Sequence, residues 1–242
     1  MYTVNLTSEE AVKKEFGAHV MDCAVLPDGQ LVASEFPSGR IAIFARDGTR
    51  VRDLQLPGNH AEQSNMVAIS KSGLIVSSPV CANTNMVYFL DPKDGQPLKI
   101  GTVDADQIQG EILVSSSGVV VVKTDDSEFT ILDGNTGRVR DKITRAEWNE
   151  ARCAVDREND TIYICYISDP DVKPAIAVVD EVGIDGGMIR RGVIEFKQLV
   201  RPVITPMAMP GGQLVICNGK ELLVYKKVSN KSSYSGKTWV KV

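Results

Sequence analysis

Only two histidines, His19 and His60, occur in this 242-residue chain. General acid–base chemistry near neutral pH most often recruits an imidazole, so the shortage narrows the enzymatic readings at once. No Gly-x-Ser-x-Gly elbow, His-Glu-x-x-His pair, phosphate-binding glycine loop or Cys-x-x-Cys pair is present either. No run approaches the roughly 18 to 20 apolar residues that cross a bilayer. The opening MYTVNLTSEEAVKKEF lacks the basic start, apolar stretch and small-residue cleavage site of a secretory signal. With Met1 as the natural start, the expected location is cytoplasmic. The five cysteines, Cys23, Cys81, Cys153, Cys165 and Cys217, are odd in number and four fall in predicted strands, which suits small buried apolar residues in a reducing compartment.

What the chain does have is a cadence: apolar strand, tight turn, apolar strand. It reads VLPDGQLVAS from Val25, VAISKSGLIVSS from Val67, ILVSSSGVVVV from Ile112, CAVDRENDTIYIC from Cys153 and AMPGGQLVIC from Ala208. Gly29, Gly73, Gly118 and Gly212 hold the same place in the turn, and Asn159 with Asp160 replaces them in the fourth unit. Asn and Asp are the residues besides Gly that best tolerate positive φ in a hairpin, so the turn chemistry is kept. A second turn follows in FARDGTRV, FLDPKDGQPL, ILDGNTGRV and VVDEVGIDGG, joining a third strand to an outermost fourth. Short strands repeated every 40 to 50 residues or so are the signature of β-propeller blades.

The expected fold is therefore all-β, a propeller of about five four-stranded antiparallel blades, or a segment of a larger one. Residues 18–242 divide into units of about 18–59, 60–103, 104–144, 145–194 and 195–242. Residues 1–17 supply a strand and a short helix, and residues 2–6 are expected to pair with the last blade, closing the ring, because an open propeller leaves an apolar face in water. Thr7 with Glu10 and Thr144 with Glu147 match the Thr-x-x-Glu capping box, predicting one helix before the first blade and one between the third and fourth. The fourth unit is the longest, with ISDPDVKPA and GIDGG enlarging its loops, and long loops are where contact concentrates.

The first unit, LPDGQLVASEFPSGRIAIFARDGTRVRDL, resembles an NHL-type propeller repeat, with its Gly-Arg-Ile-x-x-Phe third strand ending at Phe44 and an Asp-Gly turn after it. The third, FTILDGNTGRVRDKI, is similar to quinoprotein-like repeats through Leu132, Asp133, Thr136 and Gly137. No Trp-Asp dipeptide closes a third strand and no Gly-His opens a unit, so the WD40-like pattern fits less well. The resemblance implies the fold, and for NHL-type propellers commonly an RNA or protein partner.

His19 and His60 precede the first strands of adjacent units, where Asp22 or Glu62 would complete a metal site; two unlinked histidines are more often loop residues than ligands. Asp133, Asn135 and Gly137 echo a calcium loop without its closing acidic ligand, at a place where a hairpin turn is expected. Asp91 and Asp94 receive the same reading. Glu35 is the acid conceivable in a propeller lactonase. No metal, cofactor or catalytic residue is assigned.

Charge is unevenly distributed. Residues 1–185 hold 17 basic and 29 acidic side chains, and residues 186–242 hold 10 basic and 2 acidic. A basic sector attracts phosphate or an acidic peptide, while lysines at outer strands also guard against edge pairing. Arg190, Arg191, Lys197 and Arg201 lie closest together and are the candidate binding residues. Trp148, in the polar connection Glu147-Trp148-Asn149-Glu150, either caps a blade or meets a partner. These features point to a non-catalytic interaction platform that binds a protein or peptide through loops on a propeller face. The alternatives are a metal-dependent propeller hydrolase or lactonase, and a nucleic-acid binder using the basic C-terminal sector, although aromatics for base stacking are few.

Overall fold

The computed structural model of the chain describes residues 19–57, 64–80, 84–106, 108–168, 175–198, 205–209, 211–217, 222–229 and 237–241. The segments expected to form the leading strand and helix, with His60, Glu62, Cys81 and Arg201, lie outside the described residues, so the pairing of residues 2–6 does as well. Four strands form the first sheet: β1 (His19–Val25), β2 (Leu31–Phe36), β3 (Arg40–Phe44) and β4 (Arg50–Gln55). The second has β5 (Ser64–Ile69), β6 (Ile75–Val80), β7 (Met86–Leu90) and β8 (Pro97–Thr102). The third has β9 (Ile112–Val114), β10 (Val119–Asp125), β11 (Glu128–Asp133) and β12 (Val139–Thr144). The fourth has β13 (Asn149–Asp156), β14 (Thr161–Ile167), β15 (Ala175–Gly183) and β16 (Met188–Gln198). The fifth has β17 (Thr205–Met209), β18 (Gln213–Cys217), β19 (Leu222–Ser229) and β20 (Lys237–Lys241). Each strand pairs with the next in sequence, and five such blades make this chain a β-propeller repeat protein. Among the described residues no helix is long and apolar enough to cross a membrane.

The first turn of each unit keeps its chemistry through the substitution in unit four. Gly118 has φ 86° and Asp160, which takes the equivalent place, has φ 48°. Asp160 also gains a function that glycine lacks, since its Oδ1 accepts the Ser116 hydroxyl at 3.0 Å and the Ser117 N–H at 3.2 Å in the matching turn of the preceding blade.

By contact the chain divides into two compact units, Met1–Ile112 with Asp133–Val139, and Leu113–Leu132 with Arg140–Val242. In the first, Val32, Ile41, Ile43 and Leu54 of one blade pack against Val67, Ile75, Tyr88 and Leu90 of the next. The same blades are joined at their inner strands by Asp22, whose Oδ2 accepts the Val67 N–H at 3.0 Å. At the other edge, the Arg52 guanidinium donates to the Pro92 and Lys93 carbonyls of the following blade's turn. Lys99, one repeat later, donates to Gly134 O at 2.7 Å and Asn135 O at 2.9 Å. The second turn of a blade therefore rests on the outer strand of the blade before it. Gly137 makes the reason for glycine concrete: φ is +73°, and a Cβ there would meet the Gly101 backbone at 3.3 Å.

In the second unit, Phe129, Ile131, Trp148, Ile162, Ile164 and Val178 belong to one apolar cluster. Tyr163, Val179, Ile194, Leu214, Ile216 and Tyr225 belong to another. One expectation is corrected here. Thr144 starts no helix; residues 145–148 make a turn closed by the Trp148 N–H on Arg145 O at 3.1 Å, and β13 begins at once. The Thr144 hydroxyl donates to Glu128 at 3.2 Å instead of capping, and a short connection between two sheets leaves no room for a helical turn. The second turn of unit four falls at the end of its segment VVDEVGIDGG. β15 continues to Gly183, and the turn that follows holds the Gly186 N–H on Gly183 O at 2.9 Å.

Candidate functional site

Asp180 and Glu181 sit side by side in β15, in the run Val178-Val179-Asp180-Glu181-Val182. Successive strand residues point to opposite faces, so these two carboxylates enter different cores. Asp180 shares its face with Val178 and Val182, and Glu181 shares its face with Ala177 and Val179. Both are buried, with 0% and 1% exposure. A charge so placed persists only where hydrogen bonds replace its hydration.

For Asp180 the replacement comes from three donors. The Trp148 indole N–H donates to Oδ2 at 3.0 Å; the Gly192 N–H donates to Oδ1 at 2.8 Å and the Tyr166 hydroxyl at 3.5 Å. Burial first, then the charges of Asp180 and Glu147, pushes the Tyr166 phenol up to about 12, so it remains a donor at neutral pH. Trp148 is 1% exposed, edge-on to Phe129 with ring centroids 6.1 Å apart. The polar connection that carries Trp148 thus delivers a core residue whose nitrogen reaches a buried acid.

Gly192 belongs to a bulge. Val179 pairs with Ile194 and Glu181 with Arg190, so three residues of β16, Arg191, Gly192 and Val193, stand opposite Asp180 alone. Bulges re-aim side chains and end regular pairing. Here Ile189 is 54% exposed and the Arg191 side chain 64%, whereas the Arg190 side chain between them is 27% exposed. Arg191 reaches Glu147 Oε1 at 3.4 Å, so Trp148 and its neighbour act on the same bulge from inside and outside.

Glu181 forms the second hub. Arg190 Nη2 lies 2.7 Å from Oε2 and 2.9 Å from Oε1, with Nε at 3.0 Å from Oε2. Lys227 of β19 lies 3.1 Å from Oε1, which links the fourth blade to the fifth. Lys227 also sits 5.9 Å from the Tyr163 ring centroid. The Tyr163 hydroxyl donates to Asp156 at 3.4 Å; burial, followed by the Asp156 and Glu181 charges, holds this phenol far above its ordinary value.

The sequence-derived candidates therefore separate. Trp148 and Arg190 converge on the Asp180–Glu181 pair, whereas Arg191 pairs with Glu147 at the surface. Lys197 pairs with Ile176 in the β15–β16 ladder, away from the bulge. Of the remaining acids, Asp22 accepts the N–H groups of Val67 and of Cys23, the latter at 2.8 Å. Glu35 is 3% exposed and bound by Arg50 at 2.8 and 3.1 Å. Asp133 Oδ1 accepts the N–H groups of Asn135 and Thr136, each at 2.9 Å, while Lys99 occupies the carbonyls of residues 134 and 135. This is the chemistry of a turn. Among the described residues no group of three or more His, Cys, Asp or Glu is placed to hold a metal ion. The residues that sequence reasoning missed are Asp180 and Glu181, whose only signal was two adjacent acids inside an otherwise apolar β-branched run.

No protein-family model matches the chain, and no curated protein matches it. Among solved structures it is similar to hydrazine synthase of Kuenenia stuttgartiensis, with a TM-score of 0.65 and 14% identity over 92% of this chain. This chain spans 65% of that one. It is also similar to KlHsv2 with loop 6CD replaced by a Gly-Ser linker, at a TM-score of 0.61 and 14% identity, covering 93% of this chain and 71% of that one. At such identity the likeness is one of fold, and fold does not carry activity with it.

Proposed function

We propose that this protein is a non-catalytic interaction platform that binds a protein or peptide partner in the cytoplasm. The observation that carries the reading is the bulge of β16: two buried carboxylates anchor it, and it turns an isoleucine and an arginine outward side by side. Exposed apolar and guanidinium groups on a rigid support are the ingredients of interface hot spots. A preformed frame lowers the ordering cost of binding. Buried acids committed to indole, guanidinium and backbone N–H donors serve that frame.

The basic C-terminal sector favours an acidic partner, but two of its cations, Arg190 and Lys227, already neutralise Glu181. A nucleic-acid partner would have to use the others. The test is affinity capture from the native cell with the intact protein and with an Ile189→Ser, Arg191→Glu double variant. The platform reading expects a reproducible partner with the first and its loss with the second, both proteins having the same Trp148 fluorescence. A partner retained equally by both removes the bulge from the reading. A tightly held divalent ion in the purified protein, with activity that follows it, would favour the hydrolase alternative.

A further inference from the structure

Arg190 and Arg191 are neighbours in β16, and their guanidinium groups are engaged to very different degrees. Arg190 holds Glu181 through three contacts of 2.7 to 3.0 Å. Arg191 makes one, from Nη1 to Glu147 Oε1 at 3.4 Å, with side-chain exposures of 64% and 42%. A guanidinium offers its N–H donors as a planar fork that takes a carboxylate two at a time, at about 2.7 to 2.9 Å. Most of the Arg191 fork is therefore unused among the described residues, and the group that touches it is itself a carboxylate. The connection that carries Glu147 is firmly placed. Trp148 is anchored on Asp180 through its indole, its backbone N–H closes the turn on Arg145 O, and Glu150 holds φ at 50°, a left-handed value uncommon outside glycine. An exposed ion pair of this kind adds little to stability. A strained backbone kept beside so weak a contact points to a use other than folding.

We infer that Glu147 is a stand-in for a carboxylate of the partner: a segment with an aspartate or glutamate beside an apolar residue docks on the bulge, its carboxylate replacing Glu147 on Arg191 and its apolar side chain covering Ile189. The inference rests on the reading of the bulge as a docking surface and adds the chemistry of what docks there. Charge complementarity selects an acidic segment, because the exposed guanidinium already carries a loosely held carboxylate in the place the partner's would take. Ile189, two residues before Arg191 and on the same side of the strand, is 54% exposed. Exposed Glu195 sets the direction of approach. Its Oε1 lies 3.5 Å from where a Cβ on Gly192 would stand, so it screens the far side of the bulge and the incoming carboxylate enters from the side of Ile189. With Glu147 in place, an acid that lacks the neighbouring apolar group gains little by displacing it, so the competition sharpens the choice of partner.

The experiment titrates the intact protein with a serine-based peptide that carries two Leu-Glu pairs, and with its Leu-Gln and Leu-Lys counterparts, up to millimolar concentration. The Ile189 methyl and Arg191 Nε–H resonances report contact. Saturable shifts at both are expected with the Leu-Glu peptide, and affinity about tenfold or more lower with Leu-Gln and with Leu-Lys. Glu147→Gln should tighten binding of the Leu-Glu peptide by a factor on the order of five at low salt, with Trp148 fluorescence unchanged. Arg191→Gln should weaken it about tenfold, and adding Glu147→Gln to that variant should bring no gain, because the two residues act through one contact. Absence of shifts at Ile189 and Arg191, equal binding of the Leu-Glu and Leu-Lys peptides, or a gain from Glu147→Gln that persists without Arg191 overturns the proposal. A captured partner that is lost on the Ile189→Ser, Arg191→Glu exchange but indifferent to Glu147→Gln also overturns it, and leaves the platform reading standing. Peptide binding as expected, with a captured partner that ignores the exchange, sinks the platform reading and keeps the carboxylate site on Arg191.

Discussion

Fully buried Asp180 accepts the backbone N–H of Gly192 at 2.8 Å, at the point where β16 leaves its ladder. The contact turns a local irregularity into a fixed feature, because the bulged N–H has no strand partner among the described residues and the carboxylate is fully buried. Replacing Asp180 by alanine removes one acceptor from three donors, two of them in the core. The expected loss is about 3 kcal/mol in urea denaturation, together with a red shift of Trp148 fluorescence as its indole loses its partner. Asp180→Asn should recover part of the loss, since one carbonyl oxygen remains. Equal stability of the alanine variant and wild type would refute the anchoring role.

The two hubs also show how far the sequence could be read. Repeat number, blade pairing and the Asp160 turn were legible because tight turns demand particular residues at fixed intervals. Asp180 and Glu181 were not, because VVDEVG imitates the second-turn acid of the other units, such as Asp91 in FLDPKDG. The structure carries β15 to Gly183, and the turn acid is Asp185, whose Oδ1 accepts the Gly187 N–H at 3.0 Å. Spacing alone cannot separate a solvated turn acid from a buried one, since the difference lies in donors contributed from elsewhere: Trp148, Arg190 and Lys227. For the same reason Trp148, in a polar connection, could be read toward either a partner or the core.

Arg190 and Arg191 are adjacent in sequence and opposite in consequence. Arg190 neutralises a carboxylate of 2% side-chain exposure, whereas the Arg191 pair with Glu147 is exposed on both sides. Arg190→Glu should cost about 3 kcal/mol of stability, because it leaves two acids facing each other with Lys227 alone between them. Arg191→Glu should stay within about 0.5 kcal/mol. Thermal denaturation of the two variants checks the contrast. Any binding study that reverses both charges together would confuse unfolding with loss of contact.

Gly137 and Gly48 separate backbone strain from blade stacking. Both have positive φ, +73° and +85°, but a Cβ at Gly48 meets nothing within 4 Å, while at Gly137 it meets Ile100 O at 3.2 Å. Gly48→Ala should cost about 1 kcal/mol, the conformational penalty alone. Gly137→Ala should cost clearly more, since the second-blade backbone must give way. Equal losses in chemical denaturation would mean that the two blades separate at that point without resistance.

Asp22 gives the fold a pH dependence of unusual sign. Its carboxyl lies above the ordinary 3.8 because burial outweighs the hydrogen bonds from Val67 and Cys23. A folded value above the unfolded one means that the folded state holds its proton more tightly. The resulting stabilisation is complete below the unfolded value and is lost as pH rises through the folded one. Asp22→Asn keeps an oxygen for the Val67 N–H and removes the charge, at the expense of an acceptor for the exposed Cys23 N–H. The variant's stability relative to wild type should therefore improve as pH rises from about 4 towards 7, by an amount on the order of 1 kcal/mol. Melting temperatures across that range measure it. A constant difference between the two proteins would show that Asp22 titrates alike in the folded and unfolded chain, and that its link between β1 and β5 carries no cost of buried charge.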